Sequence, residues 1–414
     1  MIKNLLFTTT LMLAIFTASC SDKPQEHFTK GDFIRTCGHN FVDANGEKYN
    51  ITGINLGNWV NPEGYMFKFK HTNSASEINR AFCQMVGEEY TAYFWKEFQK
   101  NYVTRKDIEF IASTGVNSIR LPFHYKLFTD KYLMGSQDSE RGYELVDSLI
   151  TWCKDNELRI ILDMHCAPGG QTGDNIDDSY GYPWLFESET HQTEFIKVWC
   201  EIAERYKNET TIIGYDLINE PIASHFPNLK ELNKHLEPLL IKTSKSIRAI
   251  DKNHIIFLGG AQWNSNFDIF TDWEFDNNIA YTFHNYWTET TQNVLDKYVN
   301  FREKTNCPLY LGESGENTDE WVREFRLLLD KNNFGWHFWP YKKLDHHASY
   351  VHIPSPEDWD IVVDFVEGDR SSYAAIRENR PNQEHAKSIL ENFLKLSKFE
   401  NCVTNQGYID ALTK

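Results

Sequence analysis

The chain is short of positive charge. Its 414 residues carry 42 Lys and Arg against 59 Asp and Glu, a formal net charge of −17. A protein that tracks a phosphate backbone needs a basic stripe, and none is found, so nucleic acid is excluded as a partner. The same balance disfavours anionic glycans and anionic membrane surfaces and leaves neutral polymers open. Cysteine is sparse as well. The eight residues, Cys20, Cys37, Cys83, Cys153, Cys166, Cys200, Cys307 and Cys402, lack the paired short spacings of zinc sites. No disulfide framework is expected, because a chain this long buries a sizeable core without one, and one or two single bridges stay open. After the first few tens of residues nothing repeats at a fixed period and nothing falls into low complexity.

What is present begins with a targeting pattern. Lys3 gives a positive start, and Leu5 to Phe16 is mostly apolar apart from Thr8-Thr9-Thr10. That run is too short to span a bilayer and fits a signal-peptide core. It ends in Thr17-Ala18-Ser19-Cys20, which resembles a bacterial lipoprotein signal in which Cys20 becomes the lipidated first residue. A plain secretory signal cleaved nearby is the alternative. The expected organisation is a signal over 1–19, a polar tether over 20–34, one folded domain over 35–400 and a C-terminal tail over 401–414. The expected location is the bacterial cell envelope or surface, with the membrane reached only through the N-terminal lipid, or else the medium; a monomer is expected. With Cys20 modified, seven cysteines remain, so at least one is a free thiol or pairs between molecules.

Strand-like and helix-like segments alternate along the rest. Asp43-Ala44-Asn45-Gly46 is a turn signal between Phe41-Val42 and Tyr49–Ile51, a small hairpin expected to plug one end of the fold. Strands are read at 51–56, 116–121 (closed by Pro122), 159–164, 212–218, 254–258, 279–283, 309–312 and 335–339. Helices are read at 104–113, 143–156, 193–206, 229–250, 294–304, 320–330 and 385–396. Such alternation argues for a parallel sheet, and eight strand units make a closed (β/α)8 barrel, a single-domain TIM barrel, the best choice. Pro340 to Glu384 reads as a loop insertion near the last strand.

In a barrel of this kind chemistry sits at the C-terminal ends of the strands. The polar residues there are Arg120, Asp163, His165, Asn219, Glu220, His284, Tyr286, Glu313 and Trp339. One such residue could be ordinary strand-end solvation; nine converging are hard to obtain by chance. Two are glutamates on different strands, and cleavage of a glycosidic bond needs two carboxyl groups across it. Glu313 reads as the nucleophile, with Arg120 and Tyr286 to support its charge. Glu220 reads as the acid and then base, protonated at the start through desolvation and a nearby like charge. Asn219 could bond the sugar 2-hydroxyl. Asp163 reads as structural, orienting Arg120 or His165.

These motifs resemble glycoside hydrolase family 5 over nearly the whole chain after the tether. Asn219-Glu220-Pro221 and Gly312-Glu313-Ser314 each follow a strand as in that family. Thr52 to Trp59, Gly115 to Pro122, Leu162 to His165, His284 to Tyr286 and Trp336 to Trp339 match its first, second, third, sixth and eighth strands. The resemblance implies Glu220 as acid/base and Glu313 as nucleophile. It implies Arg120, His165, Asn219, His284, Tyr286 and Trp339 as the shell around the reacting sugar, and no cofactor or metal. Within the family, Asn55 to Trp59 followed by Glu63, Ala167 to Gln171, and Trp339 followed by Lys342 are similar to the exo-β-1,3-glucanase branch, where a glutamate at the place of Glu63 contacts the terminal glucose. Gly315 and the loop Asp174 to Tyr182 depart from that branch.

The implied activity is retaining hydrolysis of a neutral β-glucan. The same chemistry on another neutral β-glycan, such as mannan or a glycoconjugate, stays open, as does a non-catalytic surface glycan-binding lipoprotein, against which the intact glutamate pair argues. Aromatics make up 14% of the chain; they serve either a large core or a sugar cleft, and Trp59, Trp184, Trp263 and Trp287 are each candidates for both. His346-His347 as a metal pair and Asp177-Asp178 as a Ca2+ loop are weaker than their readings as surface and loop residues.

Overall fold

Eight parallel strands close into a (β/α)8 TIM barrel in the computed structural model, which describes residues 33–174 and 176–414. The expected signal segment, Cys20 and most of the tether lie outside the described residues. A two-stranded hairpin comes first, β1 (Arg35–Cys37) and β2 (Asn40–Val42). The barrel strands follow: β3 (Thr52–Asn55), β4 (Ser118–His124), β5 (Arg159–Cys166), β6 (Ile212–Asp216), β7 (Ile255–Gly259), β8 (Ile279–His284), β9 (Leu309–Glu313) and β10 (Gly335–Phe338). They pair in sequence order, and β10 returns to β3.

The hairpin does plug the barrel; the expected pairing across the turn is present as a short bridge, Val42 with Lys48, with Tyr49 N–H donating to Phe41 C=O at 2.8 Å, and a second strand pairs on its other side. Phe41 packs between Phe257 and Tyr310, its ring centroid 5.9 and 6.4 Å from theirs. Phe41 joins Ile34, Ile51, Ile161, Ile213 and Ile255 in an apolar layer at the floor. The strand opposite Phe41 lies N-terminal to it, at 35–37. The Asp43–Gly46 turn exists, with Asp43 Oδ1 accepting from the amides of Asn45 and Glu47 at 2.9 Å each. It leads through a single bridge at Lys48 into β3.

Two further departures concern extent. Pro122 does not close its strand; β4 continues to His124 in parallel register with β5. Proline φ suits an extended strand, and only one amide hydrogen bond is forgone. The stretch 340–384 is not a bare loop. It forms β11 (Lys342–Leu344), β12 (Val351–Ile353) and helices at Trp359–Glu367 and Tyr373–Asn379. Residues 401–414 add β13 (Val403–Thr404), which pairs with β12, and a helix at Gln406–Thr413 with Tyr408 buried. Between β3 and the helix Arg105–Ser113 lie two unforeseen helices, Ala75–Val86 and Glu88–Tyr102. The first opens on a capping box, Ser74 with Glu77. Among the described residues no helix is long and apolar enough to cross a membrane.

Lys342 belongs to this packing. Its Nζ is fully buried and donates to Asp107 Oδ1 at 2.7 Å, Tyr102 C=O at 2.6 Å and Ser397 C=O at 2.9 Å. Replacing it with methionine leaves Asp107 buried without its cation, a loss of about 3–5 kcal/mol. Lys342→Met is therefore expected to lower the urea midpoint while leaving KM unchanged in the fraction that stays folded. Cys83, Cys153, Cys166, Cys200 and Cys402 carry free thiols.

Candidate active site

The side-chain period of two puts Ile161, Asp163 and His165 of β5 on one face of the strand, and that face turns into the barrel. The floor of the barrel is apolar, so the polar members of the same rows collect at the mouth. Arg120 on β4 is the centre of that layer and is fully buried. Its Nη1 donates to Glu313 Oε1 at 2.5 Å and to Asn55 Oδ1 at 3.1 Å. Nη2 reaches Asp163 Oδ1 at 3.0 Å, Asp216 Oδ2 at 2.9 Å and Asn219 Oδ1 at 3.0 Å, and Nε donates to Asp216 Oδ2 at 3.0 Å. Burial alone would depress the guanidinium; Asp163, Asp216 and Glu313 outweigh it and keep the cation firmly charged.

Glu313 closes β9. Its second oxygen, Oε2, accepts from Tyr286 Oη at 3.1 Å. Burial and the neighbouring Glu313 raise the Tyr286 phenol well above its ordinary value, so it remains a donor. Glu220 lies beyond β6 in the left-handed region at φ 47°. Its backbone is held from the loop after β5: Thr172 Oγ1 donates to Glu220 C=O at 2.8 Å, and Gln171 Nε2 to Asn219 C=O at 2.9 Å. Glu220 Oε1 meets His284 Nδ1 at 2.9 Å. Desolvation, only partly offset by His165 and Arg120, pushes the Glu220 carboxyl up to about 7. Desolvation likewise pushes His284 down to about 3, so its imidazole is neutral. The two glutamates each place a carboxylate oxygen within 4.8 Å of the other.

The opposite wall is charged differently. His165 contacts Asp163 Oδ2 through Nδ1 at 2.7 Å and Glu63 Oε1 through Nε2 at 3.2 Å. Burial would lower this imidazole, but Asp163, Glu63 and Glu313 raise it well above its ordinary value. Glu63 is buried, and desolvation, against the bond from His165, raises its carboxyl. Trp339 stacks on the His165 ring at 5.6 Å and 7°, and its Nε1 donates to Tyr65 Oη at 2.5 Å. Gly57 passes so close that a Cβ there would lie 2.4 Å from the Trp339 ring. Tyr65 in turn packs under Lys343 Nζ, 4.4 Å from its centroid, and Lys343 is paired with Glu316.

The structure thus brings Arg120, His165, Asn219, Glu220, His284, Tyr286, Glu313, Trp339 and Glu63 to one mouth. Asp163 orients Arg120 and His165 together. Sequence reasoning missed Asn55, Asp216 and Tyr65. Asn55 could have been read from its position at the end of β3; its Nδ2 also ties Gly312 C=O at 3.0 Å and Phe338 C=O at 3.1 Å across the barrel. Trp59 is core, whereas Trp287 is 69% and Trp184 44% exposed. Asp178 binds His124, Lys126 and Ser76, which makes its loop a structural one.

Among the described residues three groups are spaced closely enough to ligate a cation: His124–Cys166–Asp178, where Lys126 Nζ already lies 2.9 Å from Asp178 Oδ2, and, around Glu313, the two triads Glu220–His284–Glu313 and Asp163–His165–Glu313. In each of these two triads, Glu313 already faces Arg120 at 2.5 Å, and a second cation there meets direct repulsion. Among the described residues His346 and His347 belong to no such cluster.

Known proteins resemble this chain over the barrel. Residues 42–345 match the family model of cellulase, glycosyl hydrolase family 5. A beta-xylosidase of Phanerodontia chrysosporium is 29% identical over 308 residues, 73% of this chain and 61% of that one. Endoglucanase C of Acetivibrio thermocellus is 29% identical over 313 residues, 61% of this chain and 88% of the relative. A glucan 1,3-beta-glucosidase of Kluyveromyces lactis is 28% identical over 205 residues, 45% and 46% of the two chains. The chain therefore spans less than two thirds of the first and third of these relatives. The matched segment covers β3 to β10 and every barrel residue described above, and the chain belongs to glycosyl hydrolase family 5.

Proposed function

We propose that this protein hydrolyses a neutral β-glucan with retention of anomeric configuration, Glu313 acting as nucleophile and Glu220 as acid and then base. The observation that carries the reading is the pair of carboxyl groups. Retaining enzymes hold them about 5–5.5 Å apart and inverting ones about 6.5–9.5 Å, to leave room for a water. Here oxygens of the two lie within 4.8 Å, which supports direct attack by one of them. Their surroundings differ as the two tasks require. Glu313 receives a charge-assisted bond from Arg120 and one from Tyr286. Glu220 is desolvated and faces a neutral imidazole. Relatives named for endoglucanase and for glucan 1,3-beta-glucosidase activity support a β-glucan and leave its linkage between them; mannan and glycoconjugates are the competing substrates. Glu63, held by His165 beside Trp339, is proposed to bind the terminal sugar.

The acid assignment has a kinetic signature. Only protonated Glu220 can serve the leaving group, so kcat/KM on an unactivated oligosaccharide should fall as pH rises through about 7. Glu220→Ala should lower that value by about 10²–10⁴-fold and remove the alkaline limb. A dinitrophenyl β-glucoside, whose leaving group needs little protonation, should be hydrolysed with nearly unchanged kcat/KM. Equal losses on both substrates would count against the assignment.

The proposed setting is the bacterial cell surface, with the mature chain a monomer anchored through lipidated Cys20 and taking membrane contact from that lipid alone. Peptide mass mapping of the mature protein, with and without reduction, tests this. A diacylated N-terminal peptide beginning at Cys20 is expected. A mature chain whose N-terminus lies elsewhere, or whose Cys20 is unmodified, would overturn the anchor.

A further inference from the structure

After β7 the backbone does something a sequence without glycine rarely does. Gln262, Trp263 and Asn264 lie consecutively in the left-handed region, at φ 49°, 56° and 57°. Each such L-residue costs about 1–2 kcal/mol. Local bonds hold the turn: Ala261 and Asn266 exchange backbone hydrogen bonds at 3.0 and 2.9 Å, and Asn266 Nδ2 donates to Gln262 Oε1 at 2.7 Å. The turn delivers the Asn264 side chain, fully buried, into the barrel mouth. There it lies against Gly259, where a Cβ would sit 2.3 Å from Asn264 Oδ1. Asn264 Nδ2 is 3.2 Å from His284 Nε2. The other ring nitrogen of His284 is the one 2.9 Å from Glu220 Oε1.

A neutral imidazole carries one N–H and one lone pair. With the Asn264 amide oriented so that its NH2 faces the ring, that NH2 can only donate, so His284 Nε2 accepts and the ring proton sits on Nδ1. Nδ1–H then donates to Glu220 Oε1. Of the two oxygens of a protonated carboxyl the carbonyl is the better acceptor, so an N–H on Oε1 favours placing the acid proton on Oε2. We propose that Asn264 is a positioning residue that fixes the tautomer of His284 and thereby dictates which oxygen of Glu220 delivers and takes back the proton. The arrangement serves both half-reactions, because Nδ1–H can stay on Oε1 whether Glu220 is protonated or ionised. The charged and titratable groups around the pair are Glu63 from the segment after β3, Arg120 from β4, Asp163 and His165 from β5, Asp174 from the following loop, Tyr286 beyond β8 and Glu313 from β9. None of them bonds His284 Nε2 among the described residues, so the amide is the group that selects the tautomer.

The inference rests on Glu220 being the acid/base, and the test separates the two. Ring ¹⁵N correlation spectra of the full chain labelled at histidine should show His284 protonated on Nδ1. Asn264→Asp keeps the shape and the tolerance of a left-handed φ but offers an acceptor, and should move the proton to Nε2. That variant should lose about 10²-fold in kcat/KM on an unactivated oligosaccharide. The loss on a dinitrophenyl β-glucoside should be far smaller, and KM should be little changed on either. An Nε2–H tautomer in the unaltered protein, as the reversed amide would select, overturns the proposal. So does an equal loss on both substrates. If Glu220→Ala discriminates between the substrates and Asn264→Asp does not, only the role of Asn264 falls. If neither discriminates, the acid assignment falls with it.

Discussion

Glu313→Ala is expected to abolish turnover of every β-glycoside, activated or not, by on the order of 10⁵–10⁶-fold, the scale of removing a covalent nucleophile. A good leaving group cannot help, because the missing step is formation of the bond to the sugar rather than departure of the aglycone. Loss without leaving-group dependence at Glu313, beside strong dependence at Glu220, separates nucleophile from acid. The variant should remain folded. Arg120 keeps Asp163 at 3.0 Å and Asp216 at 2.9 Å when Glu313 is gone, so no buried cation is stranded. Steady-state rates on both substrates, with urea unfolding as the control, check both halves of the expectation.

Arg120→Met should behave in the opposite way, losing stability first. One guanidinium faces three carboxyl groups in the fully buried layer at the mouth. Burial against the pull of Arg120 already raises the Asp216 carboxyl above its ordinary value; without the cation, Asp163 and Glu313 lose their buried counter-charge as well. Removing one member of a buried ion pair costs about 3–5 kcal/mol, and here several partners are stranded at once. Unfolding midpoints should therefore fall markedly, and activity should be lost even in the folded fraction because Glu313 loses its 2.5 Å donor. Arg120→Lys should recover part of the stability and little of the activity. An ammonium supplies the charge but not the planar fork that reaches Asp163, Asp216, Asn219, Asn55 and Glu313 together. A midpoint unchanged in Arg120→Met would contradict the reading of this layer as charge-balanced.

The strand-end residues were legible because two regularities coincide. Strand periodicity marks which side chains face the barrel interior, and the parallel topology sends every strand to the same mouth. Arg120, His165 and Glu313 needed nothing more, while Glu220, beyond the end of β6, was legible only as the residue that follows a strand at that mouth. Asp163 could be read as their orienting group because it shares a face with His165 two residues on. Tertiary position alone determines the rest. Asn264 carries no local signal, since Gln-Trp-Asn does not announce a left-handed turn; only Gly259, on which its amide rests, makes room for it. Tyr65 sits in a 3-10 turn after β3 and acquires meaning only when Trp339, 274 positions later, donates to it. Lys342 entered only as a feature similar to one branch of the family; its ammonium is absorbed by Asp107. The insertion 340–384 was misread as a loop because β11 and β12 are three residues each, too short for a period of two to register. The capping box at Ser74 was in plain sequence and marked a helix that went unread.

The most direct measurement is the configuration of the first sugar released, followed by ¹H NMR within the first minutes of a digest, before mutarotation. Attack by Glu313 and return of water to the same face require the β-anomer to form first and the α-anomer to grow in later. Initial α-anomer would mean that water, and not a carboxylate within 4.8 Å of Glu220, strikes the anomeric carbon, and the two-step reading would be wrong.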